Sequence, residues 1–137
     1  MLFRSRTVAA LVCASVEPPT RERGANLLGV VDAMSSLAVD GLPAALAFGY
    51  FFVLEVEGEV GERAEVVVDM LGPDAEQLVQ LNVYPLRLRS ARLPGRENHL
   101  TFAANVEVRV TSQGPHEVRL LVNGAVQASR TLFVRVR

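Results

Sequence analysis

Apolar and polar residues alternate with period two in segment after segment of this chain, and helical periodicity is scarce, so the pattern predicts strands. In LTFAANVEVRV, residues 100–110, Leu100, Phe102, Ala104, Val106, Val108 and Val110 fall on one face and Thr101, Asn105, Glu107 and Arg109 on the other. This is the signature of a half-buried antiparallel strand. AEVVVDM, 64–70, sets Ala64, Val66, Val68 and Met70 against Glu65, Val67 and Asp69. YPLRLR, 84–89, sets Tyr84, Leu86 and Leu88 against Pro85, Arg87 and Arg89. Pro85 has no N–H to give a ladder, so this strand belongs at an edge or carries a bulge. In ALAFGYFFVLEVE, 45–57, Leu46, Phe48, Tyr50, Phe52, Leu54 and Val56 make a core face. The opposite parity is apolar too, with Ala47, Phe51 and Val53 before Glu55 and Glu57.

Turn chemistry separates these runs: GPDAE at 72–76, LPGREN at 93–98, SQGPH at 112–116 and Asn123-Gly124. Asn123 and Gly124 both tolerate the positive φ of a type I′ turn, so a hairpin is expected there. Leu132, Val134 and Val136 have the opposite parity to Ala125, Gln127 and Ser129, which calls for a bulge between about 127 and 131. About eight strands result, near 6–16, 26–37, 44–57, 63–71, 77–89, 99–110, 116–122 and 126–136. Their spacing predicts an all-β, antiparallel two-sheet sandwich, with a small β-barrel as the alternative. DAMSSLA, 32–38, is equally readable as one helical turn. Residues 1–137 read as one domain, with no repeat, low-complexity run or linker long enough to divide them.

RTVAALVCASVEPP, 6–19, has two readings. As a secretory signal, MLFRSR would be the charged region and Val12-Cys13-Ala14 the cleavage site. The apolar core is short and Ala-rich, however, and its apolar residues occur on both parities, as in a strand buried between layers. The segment is therefore expected to be the first strand, with EPPTRERGAN leading to the second.

The order of ALVCASV, NLLGVVDAMSSLAVDGLP, FVLEVEGEVGERAEVVVDMLGPDAEQL and LTFAANVEVRVTSQGPHEVRLLVNG resembles a family of small bacterial proteins classed as a domain of unknown function. Three features carry the likeness: a first strand ending in a cysteine, a second containing Leu-Leu-Gly-Val, and the C-terminal hairpin at Asn123-Gly124. The resemblance implies an immunoglobulin-like sandwich and brings no catalytic residues. Ala14 stands where the family tends to have an acidic residue after the cysteine.

Composition then narrows the chemistry. Half of the 137 residues are hydrophobic and the net charge is -1, values of a folded domain with no overall attraction for a polyanion such as nucleic acid. All basic residues are arginine, so lysine-based Schiff-base chemistry is excluded. Cys13 is the single cysteine, within an apolar run where a thiolate is disfavoured, and it reads as structural. No Gly-x-Ser-x-Gly elbow occurs, and GEVGE at 58–62 lacks the lysine of a phosphate-binding loop. No apolar run reaches the roughly 20 residues of a membrane-spanning helix.

Weak ligand-site candidates remain. His99 and His116, each beside a turn, would need further ligands such as Glu97 and Glu117 for zinc. Asp74, with Asp69 and Glu76 around Gly72-Pro73, offers an oxygen-rich loop for calcium. The acidic run Glu55, Glu57, Glu59, Glu62 and Glu65 and the basic run Arg87, Arg89, Arg92 and Arg96 read as solvated or mutually paired faces. Phe51, Val53, Leu121 and Phe133 are apolar residues opposite the expected core faces, and they mark a protein interface unless the 17–25 or 33–43 segment covers them. The expectation is a non-enzymatic, cytoplasmic protein without cofactor, acting through a protein partner or as a homo-oligomer, apart from nucleic acid and membrane. The alternative is an extracytoplasmic module that binds a small ligand or metal ion at the loop end holding Asp74, His99 and His116.

Overall fold

The computed structural model describes residues 4–31, 36–57, 63–87 and 98–137. Nine strands form among them: β1 (Arg4–Glu17), β2 (Asn26–Val30), β3 (Ser36–Val39), β4 (Ala44–Glu57), β5 (Arg63–Leu71), β6 (Gln77–Arg87), β7 (Asn98–Val110), β8 (Gly114–Val122) and β9 (Ala125–Val136). They make two separate sheets, ordered β2-β1-β4-β7 and β3-β9-β8-β5-β6. Neither sheet closes on itself, so the sandwich forms and the barrel does not. The order β9-β8-β5 facing β1-β4-β7 matches the G-F-C and A-B-E strands of an immunoglobulin-like sandwich.

Two details differ from the sequence reading. The run at 26–37 divides into two strands: β2 pairs with β1 and β3 joins the other sheet. Gly29, at φ 67, is accommodated inside β2, whose register with β1 holds through Val30, so the division falls after Val30. The sandwich is also not wholly antiparallel, because β3 pairs parallel with β9. After β2 the chain crosses to the far sheet instead of reversing in a hairpin, and that crossing removes the antiparallel constraint.

Other local expectations are met within the described residues, while the turn expected at 93–98 and the end of the 77–89 strand reach outside them. Residues 4–17 form β1, the segment for which a signal peptide was the other reading. Asn123 and Gly124 take φ of 50° and 81° in the β8–β9 hairpin. Leu120 pairs with Ala128 but Leu121 with Val126, so Gln127 is the bulged residue. Pro85 lies in edge strand β6, where Ala64 pairs with Leu86 and Val66 with Val83, placing a second bulge at Tyr84–Pro85. Of DAMSSLA, Ser36–Ala38 is strand and 32–35 fall outside the described residues.

The core lies between the sheets and follows parity. Leu46, Phe48, Tyr50, Phe52, Leu54 and Val56 of β4 are all buried, facing Ala64, Val66, Val68 and Met70 of β5, with Val118, Leu120 and Val122 of β8. The Phe52 and Phe102 rings stack at 5.1 Å between centroids. Beside the N-terminal half of β1, side chains of β9 also bridge polar groups of the two sheets. Ser5 Oγ donates to Gln127 Oε1 at 2.8 Å, and Arg130 Nε donates to the Ala10 carbonyl at 2.8 Å.

Candidate functional site

Phe51 and Val53 sit on the outer face of the four-stranded sheet, half-buried rather than covered. Register places Leu11, Phe51 and Ala103 side by side across β1, β4 and β7, with Ala9, Val53 and Thr101 in the next row. They form a stripe whose first row is apolar across three strands and whose second is apolar across two, Thr101 being polar and exposed. At one end it stops at Arg6 and Glu55, where Arg6 Nε donates to Glu55 Oε2 at 2.9 Å. At the other end β1 itself bends over the sheet at Ser15–Val16 and lies against Gly49. Exposed apolar residues flank the stripe: Val8 in the β1 bulge and, on β2, Leu28 and Val30, the latter 47% exposed.

Leu121 and Phe133 have the outward parity expected of them, but on the other sheet. They therefore lie on the opposite side of the molecule from Phe51 and Val53, and the four residues do not form one surface. Leu121 stands in a row with Val67 and Val126. Phe133, 42% exposed, lies three rows further along β9, with two polar rows between. Those rows hold an ion pair that spacing did not reveal. Asp69 is only 3% exposed although it faces outward, because Arg119 covers it: Nε donates to Oδ1 at 2.8 Å and Nη2 to Oδ2 at 2.6 Å. That hydrogen bonding raises the Arg119 pKa further and keeps the guanidinium charged. Gln77 Nε2 reaches Asp69 Oδ2 at 3.4 Å, and Ser129 Oγ donates to Glu117 Oε1 at 2.6 Å. The alternation Val67-Asp69-Leu71 and Arg119-Leu121 put both charges outward, but only strand register made them partners.

The loop-end ligand site is not assembled. Asp74 and His116 lie toward the same end of the sandwich, since Gly114 approaches Pro73 and Leu71 pairs with Glu117. His99 pairs with Glu55 near the start of β7, whereas the end near His116 is that of Val110. At about 3.3 Å per residue, β7 separates the two ends by roughly 36 Å. His116 moreover turns inward and is buried. Its Nδ1 donates to the Gly114 carbonyl at 3.0 Å, leaving Nε2 without a partner among the described residues. Asp74 is exposed, and Glu76 folds back so that Asp74 N donates to Glu76 Oε2 at 3.0 Å, while Asp69 is taken by Arg119. No group of three metal-ligating side chains forms among the described residues. Glu59, Glu62, Arg89, Arg92, Arg96 and Glu97 lie outside the described residues, as do the side chains of Glu57, Arg87 and His99.

Cavities offer little more. A shallow depression of ≈ 450 Å³ between β3 and the start of β4 is lined by Leu37, Val39, Asp40, Ala44, Leu46 and Arg137. Its two charges satisfy each other, Arg137 Nη1 donating to Asp40 Oδ1 at 2.7 Å. Cys13 is buried, and burial pushes its thiol pKa up, as befits a structural cysteine. Tyr50 is buried with its hydroxyl unpartnered among the described residues, and burial pushes its pKa up to about 12 against the opposing influence of Arg130.

No protein-family model matches the chain, and no curated protein matches it. Among solved structures it is similar to the alkylpurine DNA glycosylase AlkC of Pseudomonas fluorescens, solved bound to DNA containing an abasic site analog, at 14% identity with a TM-score of 0.51. That match covers 96% of this chain and 30% of the glycosylase chain, so this chain spans less than a third of that enzyme. It is also similar to an immunoglobulin-like protein of Pseudomonas aeruginosa, at 14% identity and a TM-score of 0.44, covering 96% of this chain and 97% of that one. At 14% identity the glycosylase likeness is one of fold, and the strand order found here carries the fold by itself. The chain has an immunoglobulin-like β-sandwich fold.

Proposed function

We propose that this chain is a non-enzymatic binding module that docks a protein partner, in heteromeric or self-association, on the outer face of its four-stranded sheet. The supporting observation is the contiguity of the apolar rows Leu11-Phe51-Ala103 and Ala9-Val53. A strand in a sandwich needs one buried face, so a second apolar face serves a partner. The five-stranded sheet is the weaker candidate, because the Asp69–Arg119 and Glu117–Ser129 rows interrupt its apolar positions. The glycosylase likeness lends no DNA-binding role, since a net charge of -1 supplies no basic surplus for phosphates.

The test compares the parent with Phe51→Glu and Phe133→Glu, each first checked for an unchanged melting profile. Proteins or copies bound by the parent are expected to be lost with Phe51→Glu and retained with Phe133→Glu. Retention by both variants would remove the four-stranded face from consideration, and loss only with Phe133→Glu would move the interface to the other sheet.

A further inference from the structure

Strand β7 ends the four-stranded sheet, and no strand lies beside it on the side away from β4 among the described residues. Natural edges are commonly blunted by proline, bulges, short length or charged side chains, because an open edge is a template for another strand. β6, the neighbouring edge of the other sheet, has Pro85 and a bulge. β7 has neither: its 13 residues pair with β4 in unbroken register from Asn98 to Val110. In its C-terminal half the outward residues are Asn105, Glu107 and Arg109, all exposed, alternating with buried Val106, Val108 and Val110. Glu107 and Arg109 have no ion-pair or hydrogen-bond partner among the described residues.

We propose that this edge pairs antiparallel with β7 of a second copy about a two-fold axis at Val108, joining two four-stranded sheets into one. Directly opposed residues of an antiparallel pair must share a face, so only registers that oppose odd residues to odd are allowed. Centred on Glu107, the pairing sets glutamate against glutamate; centred on Arg109, arginine against arginine. Centred on Val106, it leaves Arg109 opposite Ala103. Centred on Val108, Glu107 meets the partner's Arg109 and Arg109 meets the partner's Glu107, while Val106 meets the partner's Val110. A two-fold interface must be self-complementary, and this register satisfies both charges twice. The pairing is independent of the apolar face, and Phe51→Glu leaves it intact.

Sedimentation equilibrium from micromolar to millimolar protein tests it, with Glu107→Arg, Arg109→Glu and the double exchange. Each single reversal places two like-charge pairs in the interface and is expected to weaken dimerisation by about tenfold or more. The double exchange restores the pairs and brings the dissociation constant back to within about threefold of the parent. Amide exchange along β7 should slow as protein concentration rises. A parent that stays monomeric at millimolar concentration overturns the proposal, and so does a dimer indifferent to the single reversals or not rescued by the double exchange.

Discussion

The side chain of Asn105 holds both backbone groups of Val16: its Oδ1 accepts from Val16 N at 2.9 Å and its Nδ2 donates to the Val16 carbonyl at 3.0 Å. The β1–β4 ladder ends at Cys13–Gly49, so β4 no longer supplies partners to Val16. An amide from β7, reaching across Gly49, takes the place of a backbone strand. Replacing Asn105 with Ala leaves a donor and an acceptor unpaired. The expected cost is about 1–2 kcal/mol in urea unfolding, with faster amide exchange at Val16.

Gly49 makes that bend possible. A Cβ built there would stand 2.7 Å from Val16 Cγ1 and 2.8 Å from the Ser15 carbonyl carbon, so one strand rests directly on the other's backbone. Gly49→Ala is expected to cost about 2 kcal/mol or more by overpacking. Because it pushes Val16 away from Asn105, the Gly49→Ala and Asn105→Ala effects should add to less than their sum in a double-mutant cycle.

Asp69 is a buried charge with a dedicated partner, and removing either member strands the other. Asp69→Ala and Arg119→Ala should each destabilise by about 3 kcal/mol, with the double variant well short of the sum. Added salt should change the coupling little, since Asp69 is nearly inaccessible. A coupling that disappears in molar salt would mean the pair behaves as a surface bridge.

Tyr50 carries a hydroxyl that has no hydrogen-bond partner among the described residues and titrates high because it is buried. Its folded-state pKa lies above the unfolded value of 10.0. Its contribution is therefore fully present below pH 10 and is lost as pH rises toward about 12, because the unfolded state releases its proton first. Tyr50→Phe should be neutral or stabilising at pH 7, since it removes an unsatisfied polar group. Between pH 10 and 12 it should lose less stability than the parent, by an amount on the order of 2 kcal/mol. Equal losses in parent and variant would assign the alkaline transition to another group.

Much of this was legible along the chain because side-chain direction in a strand is a local property. Alternation alone separated Leu46 through Val56 from Phe51 and Val53, and demanded the bulge that falls at Gln127. Pro85, lacking an N–H, announced its edge. The ligand site built on Asp74, His99 and His116 failed for a different reason. Adjacency to a turn says nothing about which end of the sandwich that turn occupies, or whether a histidine beside it faces inward.

What the sequence determined by itself is therefore most of the strands, though not the division of 26–37, and the face taken by residues in the alternating runs, since both follow from a period of two and from turn residues that permit positive φ. Tertiary structure decided who meets whom: Asn105 with Val16, Asp69 with Arg119, Phe51 with Leu11 and Ala103. Those meetings depend on register and sheet order, which arise when the two sheets bury their shared core, and residues 50 or 89 positions apart carry no mark of each other until then.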